Sequence, residues 1–214
     1  MRSLEAPDLL EPALALEVRY SVVEHFYSLQ GEGAWTGHAA YFIRLAGCDV
    51  GCWWCDTKAS WDASAHPTAS VSELVEAAQR APTPIVVLTG GEPLMHDLGP
   101  LTRALRASGK RVHLETSGAY PLSGHVDWLT LSPKKRKPPV PEIYPHVREL
   151  KVVVVNASDF RWAEAHAARC PEGTLLFLQP EWGSPHMIEP ILRYIQAHPR
   201  WRLSLQVHKY LNIP

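Results

Sequence analysis

The chain has 214 residues, 46% of them hydrophobic and 20% charged, with a formal net charge of -1. That length suits one α/β domain with a sizeable core, and the near-neutral charge argues against a broad nucleic-acid-binding surface and favours a small-molecule partner. No apolar run approaches the roughly 20 residues of a transmembrane helix, and the acidic, proline-bearing N-terminus does not read as a signal peptide.

Residues 1–17 read as a weakly ordered extension, with residues 18–214 as a single domain. Val18–Tyr27 is apolar and extended. Ser28-Leu29-Gln30-Gly31-Glu32-Gly33 is a glycine-punctuated loop, either a plain turn or a binding loop offering Gln30 and Glu32. No further glycine follows at the offset of a dinucleotide fingerprint. Ala39–Ala46 is a buried strand whose one charge, Arg44, suits solvent, an internal carboxylate or a ligand carboxylate. Ser70–Arg80 is a helix, with Ser70 and Glu73 as a capping box. Ile85–Leu88 is a strand running into Thr89-Gly90-Gly91-Glu92-Pro93, and Asp97–Ser108 is a helix stopped by Gly109. Arg111–Glu115 and Val126–Leu131 are strands with too short a connection for a normal crossover helix. Ser132-Pro133-Lys134-Lys135-Arg136-Lys137-Pro138-Pro139 is too proline-dense for a helix. Its basic run reads as a solvated loop with one lysine turned inward rather than a nucleic-acid site. Leu150–Val155 is a strand, Ser158–Arg169 a helix capped by Ser158, and Leu175–Leu178 a strand ending in Gln179-Pro180. Pro185–His198 reads as helical and Trp201–Val207 as a late strand.

The alternation from Ala39 onward gives about six core strands and predicts a parallel sheet or open (β/α) barrel, too short for a closed eightfold one. Ligands of such folds sit at the carboxyl ends of the strands. The cysteine loop described next, Thr89–Glu92, Glu115–Gly118, Ser132–Lys134 and Gln179-Pro180 all begin where a strand ends, so five loops are expected to converge on one mouth.

Three of the four cysteines, Cys48, Cys52 and Cys55, lie together in a C-x3-C-x2-C loop after the first of these core strands; Cys170 is far away. This is no disulfide framework and points to a reducing, cytoplasmic setting. The three thiols suit an iron–sulfur cluster with one iron left uncovered. Buried apolar thiols, structural zinc and a redox C-x2-C pair are the competing readings. Trp53 and Trp54 either keep water from such a centre or simply pack. The histidines at 25, 38, 66, 96, 113, 125, 146, 166, 186 and 198 show no metal-ligand spacing.

The cysteine loop and Thr89-Gly90-Gly91-Glu92-Pro93 together resemble the radical S-adenosylmethionine superfamily. Within it, the chain from about Val23 to Pro214 is similar to the 7-carboxy-7-deazaguanine synthase family. The match runs through Ser28–Gly33, Arg44 with Ala46-Gly47-Cys48, Cys55-Asp56-Thr57, Glu115–Gly118, Ser132–Lys134, Gln179-Pro180 and Gln206-Val207-His208-Lys209-Tyr210. The resemblance implies a partial (β/α)6-type TIM barrel with a reduced number of helices. It implies a lyase that contracts the ring of 6-carboxy-5,6,7,8-tetrahydropterin to 7-carboxy-7-deazaguanine, with loss of ammonia, in queuosine precursor biosynthesis. The implied cofactors are a [4Fe–4S] cluster on Cys48, Cys52 and Cys55, S-adenosylmethionine, and Mg2+ on Thr57. Substrate contacts fall on Leu29, Gln30, Gly31, Glu32, Arg44, Thr89, His208 and Pro214, the last through a terminal carboxylate. S-adenosylmethionine contacts fall on Trp54, Cys55, Asp56, Gly90, Gly91, Glu92, Ser117, Ser132, Pro133, Lys134, Gln179, Pro180, Glu181 and Trp182, with Glu92 accepting from the methionyl ammonium. A homodimer and a flavodoxin or ferredoxin-type electron donor are also implied. The alternatives are an activase that makes a glycyl radical on a partner protein and a zinc-stapled α/β binding module.

Overall fold

The structure, a computed structural model, describes residues 17–214. The expected N-terminal extension falls almost wholly on residues 1–16, outside that range. Nine strands among the described residues form one sheet: β1 (Arg19–Leu29), β2 (Ala39–Leu45), β3 (Thr68–Ser70), β4 (Ile85–Gly90), β5 (Arg111–Thr116), β6 (Trp128–Leu131), β7 (Glu149–Val154), β8 (Leu175–Pro180) and β9 (Trp201–Leu203). Their spatial order is β3-β1-β2-β4-β5-β6-β7-β8-β9. From β2 to β9 every neighbouring pair is parallel, whereas β1 is antiparallel to both β2 and β3.

The helices are α1 (Val71–Arg80), α2 (Gly99–Ala107), α3 (Ser158–Ala167), α4 (Ile188–Ala197) and α5 (Val207–Leu211). The β5–β6 connection carries none, and β6–β7 carries only a 3-10 segment, Pro141–His146. These are the two connections expected to lack a normal helix. The capping box of α1 is formed: Ser70 Oγ accepts from Glu73 N, and Glu73 accepts from Ser70 N at 2.6 Å. Ser158 does not cap α3. The backbone N–H groups of Val155 and Asn156 instead donate to Asp159 Oδ2 at 2.7 and 2.9 Å, so a carboxylate one residue inside the helix satisfies the entry loop. The late strand is also shorter than expected. It ends at Leu203, and Val207 begins a helix whose N–H is taken by Gly31 O at 2.9 Å.

Side-chain alternation separates the two faces of the sheet. Ile43 and Leu45, Val86 and Leu88, Val112 and Leu114, Leu129 and Leu131, Leu150, Val152 and Val154, and Leu176 and Leu178 lie in the main core. Leu74, Leu101, Leu105, Ala163 and Ile191 of the helices lie in the same core. Each fully buried leucine there stabilises the fold by about 1.5–3 kcal/mol relative to exposure. The alternate positions Arg44, Thr89, Glu115, Lys151 and Gln179 belong to the other face and line a cavity. The opposite end of that face is plugged by Trp35, which packs on His113 and Trp128 with ring centroids 4.9 and 5.5 Å away. Burial there pushes the His113 imidazole down to about 4, with Arg111 adding to the effect.

Candidate active site

The cysteine loop leaves the end of β2 through Gly47 and turns at Gly51, both left-handed (φ 105° and 68°). It is held by Gly47 N to Ser60 O (2.7 Å), Cys48 N to Trp61 O (3.1 Å) and Cys55 N to Cys52 O (3.1 Å). Cys48, Cys52 and Cys55 are free, partly buried thiols on the wall of one cavity of about 410 Å3. Burial raises the pKa of Cys48 and Cys52; the neighbouring thiolates add to this, while Lys134 counteracts it at Cys52.

The loop after β4 lies directly against the cysteine loop. Gly90 has φ 145°, and a Cβ there would fall 2.1 Å from Leu45 O. A Cβ on Gly91 would fall 2.3 Å from Gly47 O and 2.8 Å from Cys48 Cβ. Glycine is therefore required by the approach of two backbones. Gly91 N and Glu92 N close the contact, donating to Leu45 O and Gly47 O at 2.9 and 2.8 Å. Glu92 stands apart from the other expected positions. It is 1% exposed and does not line the cavity. Its carboxylate accepts from Thr116 Oγ1 (2.6 Å), Ser117 N (2.8 Å), Leu94 N (3.0 Å) and Ser117 Oγ, so it joins the β4 loop to the β5 loop.

The expected substrate positions Leu29, Gln30, Gly31, Glu32, Arg44, Thr89, His208 and Pro214 all line the cavity, as does Thr57. Gln30 Nε2 donates to Glu115 Oε1 at 2.7 Å. Arg44 pairs with Glu24 at 2.8 Å while lining the cavity. The C-terminal segment is tied across the site. Lys209 Nζ donates to Asp56 Oδ2 (2.7 Å), Gln206 Nε2 to Glu32 Oε1 (3.0 Å), and Ser28 Oγ to Pro214 O (2.9 Å). A Cβ on Gly31 would meet His208 Nδ1 at 2.3 Å, so this glycine makes room for α5.

Of the remaining expected positions, Trp54, Cys55, Asp56, Gly90, Gly91, Ser117, Ser132, Lys134, Gln179, Pro180, Glu181 and Trp182 line the same cavity, and Pro133 does not. Lys134 is the inward lysine of the basic run. Its Nζ donates to Ser132 O and Oγ at 2.6 Å each and lies 5.5 Å from the Trp54 ring, and burial lowers its pKa. Trp53 is 70% exposed. Glu115, Lys151, Gln206 and Lys209 also line the cavity but were not among the expected site residues. Lys151, a lone cation in a valine-rich strand, carried the same signal that marked Arg44.

The donor set fits an iron–sulfur cluster: three thiols on one wall of a cavity, with Cys170 elsewhere, its Sγ 3.4 Å from His166 O. Among the described residues, no three Cys, His, Asp or Glu side chains are grouped to hold a single metal ion. No helix among them is long and apolar enough to cross a membrane.

The profile of the Radical SAM superfamily matches residues 42–155, which span β2 through β7 and both glycine-bearing loops. The chain belongs to this superfamily of enzymes. A 7-carboxy-7-deazaguanine synthase from Synechocystis is 56% identical over 92% of this chain and 95% of its own length. That from Flavobacterium psychrophilum is 53% identical over 90% and 92%. The crystal structure of QueE from Escherichia coli superposes with a TM-score of 0.82 at 31% identity, covering 94% of this chain and all of the other. Within the superfamily, the chain is a member of the 7-carboxy-7-deazaguanine synthase family.

Proposed function

We propose that the chain converts 6-carboxy-5,6,7,8-tetrahydropterin to 7-carboxy-7-deazaguanine, with loss of ammonia, as a step toward queuosine. The observation that carries the reading is that three cysteines and the polar face of the sheet share one cavity. Its supports are the family membership and the relatives' names.

In this reading Cys48, Cys52 and Cys55 hold a [4Fe–4S] cluster by three thiolates. With S-adenosylmethionine bound, a reduced cluster there would supply one-electron reductive chemistry for hydrogen abstraction. Gly90 and Gly91 line the space for the methionyl end, while the room left by their missing side chains is taken by the cysteine loop. Trp54, Asp56, Ser117, Ser132, Lys134 and Gln179–Trp182 line the remainder of that ligand's space. Glu92 acts from behind, by fixing the loop. Arg44 offers a planar guanidinium to the substrate carboxylate. Gln30, Glu32 and His208 surround the ring system, with Leu29, Gly31, Thr89 and Pro214 beside them. Thr57 offers a hydroxyl to Mg2+ next to the Asp56 carboxylate, oxygen donors of the kind that ion takes.

The tethered α5 favours a small enclosed ligand over a protein substrate, which disfavours the activase reading. A flavodoxin or ferredoxin-type donor, a homodimer and a cytoplasmic location complete the proposal. The solvent-facing Trp53, between two cluster ligands, marks an accessible side for that donor. The test is anaerobic reconstitution with iron and sulfide, then incubation with the carboxypterin, S-adenosylmethionine, Mg2+ and a reductant. The deazaguanine product should appear in the mass spectrum; a clustered, reduced enzyme that leaves the pterin intact refutes the reading.

A further inference from the structure

We propose that Lys151 is a positioning residue that holds Glu32 and Glu115 as a fixed pair of carboxylate acceptors, and that this pair selects a ligand edge rich in N–H groups. The proposal rests on the pterin reading above, since the amidine-like edge of a 2-amino-4-oxopyrimidine is such an edge.

Lys151 sits on β7 between Leu150 and Val152, which point into the apolar core. Its own side chain is on the other face, 3% exposed as a residue, and it lines the cavity. Its Nζ reaches Glu32 Oε2 at 2.5 Å and Glu115 Oε2 at 2.8 Å. These carboxylates come from two other elements, the loop after β1 and the strand β5. Neither pairs with any other lysine or arginine among the described residues. Gln206 donates to Glu32 and Gln30 donates to Glu115, so one chain of contacts, Gln206–Glu32–Lys151–Glu115–Gln30, crosses the cavity floor.

Charge then decides what the floor accepts. Two carboxylates around one ammonium leave a net negative charge beside the cavity, and carboxylates partly withdrawn from water call for donors. Glu149 lies behind the pair and His208 faces Glu32 from α5, but neither supplies a fixed positive charge. Burial raises Glu149 to about 7 and lowers the His208 pKa. Without the ammonium, two partly buried carboxylates would face each other uncompensated. One would take up a proton and become a donor, and the acceptor pattern would be lost.

The experiment compares wild type, Lys151→Met and Lys151→Arg as reconstituted holoenzymes. Each is tested on the carboxypterin and on its analogue lacking the 2-amino group. Iron and sulfide content and thermal melting are measured in parallel. Lys151→Met should raise KM for the carboxypterin about tenfold or more, with a smaller fall in kcat. It should also lose most of the wild-type preference for the 2-amino compound, expected to be on the order of a hundredfold. Lys151→Arg should restore much of both. Unchanged KM and preference in Lys151→Met overturn the proposal, as does failure of Lys151→Arg to rescue. Should Lys151→Met not load iron or not fold, Glu115→Gln takes its place: lost preference supports the proposal and retained preference overturns it. Wild-type enzyme that ignores the carboxypterin altogether sinks the functional reading first and this inference with it.

Discussion

Cys170 has the chemistry of the other three thiols and none of their surroundings. It packs against the core at the end of α3, and burial pushes its thiol up to about 11. Cys170→Ala is therefore expected to leave iron content unchanged, while alanine at Cys48, Cys52 or Cys55 should abolish stable cluster loading; iron and sulfide analysis after anaerobic reconstitution decides. A second residue-scale prediction concerns Glu149, which accepts from Ala34 N at 3.1 Å in a nearly sealed position. Burial raises its pKa from 4.5 to about 7, with Lys151 partly opposing. Between those values the folded chain holds a proton that the unfolded chain has released, so this group lowers stability as pH rises from about 4.5 through 7. The cost is absent below that window and about 3 kcal/mol above it. Glu149→Gln should flatten the pH dependence of urea unfolding across pH 5–8 and be the more stable form at pH 8. Equal slopes for both proteins would contradict this. At this scale the sequence exposed Arg44 because a charge stood out in an apolar strand. It hid the bracing contacts of Glu92, because three of the four donors around that carboxylate come from Thr116 and Ser117, about 25 positions away.

Strands and helices were largely legible, because alternation and caps are local. The apolar alternation of β4, β5, β7 and β8 survives in the core, and the Ser70–Glu73 box starts α1 as its spacing requires. Ser70→Ala is expected to cost about 1 kcal/mol in a denaturation midpoint without touching iron content. What failed were short or competing signals. The three-residue β3 forms through pairing with β1, a partner some 50 residues away. Residues 204–207 extend an apolar pattern that tertiary contacts override: Ser204 donates to Gln179 and Val207 turns into a helix against Gly31. The β4 loop gives the sharper test. Gly91→Ala places a methyl group into Gly47 O and Cys48 Cβ. Relieving that clash costs about 1–3 kcal/mol and moves a cluster ligand. A lower melting temperature together with reduced iron loading is expected, and normal loading would show that the two loops are not mechanically joined.

At the scale of the molecule, the cavity is assembled from both ends of the described chain. Residues 29–32 form one rim, and α5 with Pro214 forms another, held by Gly31, Asp56 and Glu32. The Lys209–Asp56 pair is partly exposed, so it contributes less than about 1 kcal/mol to global stability. Its effect should be local. Lys209→Met is expected to speed amide hydrogen exchange in 207–213 and raise KM for the pterin severalfold, with melting temperature and iron content unchanged; unaltered exchange would mean the helix is held by other contacts. The convergence of loops on one mouth could be read from motif positions after each strand; the C-terminal residues entered the site only through the family resemblance, because the contacts that hold them there join residues from nearly opposite ends of the sequence.

The internal wiring of Glu92 bears on how such an enzyme matures. Four donors from the chain itself already satisfy that carboxylate. The glycine-bearing loop is therefore braced from within the chain, against the β5 loop and its own residue 94. Insertion of iron and sulfide is then expected to be a local event at residues 48–55, on a framework the chain itself braces. Maturation should then be limited by delivery of the inorganic components rather than by refolding of the barrel around them.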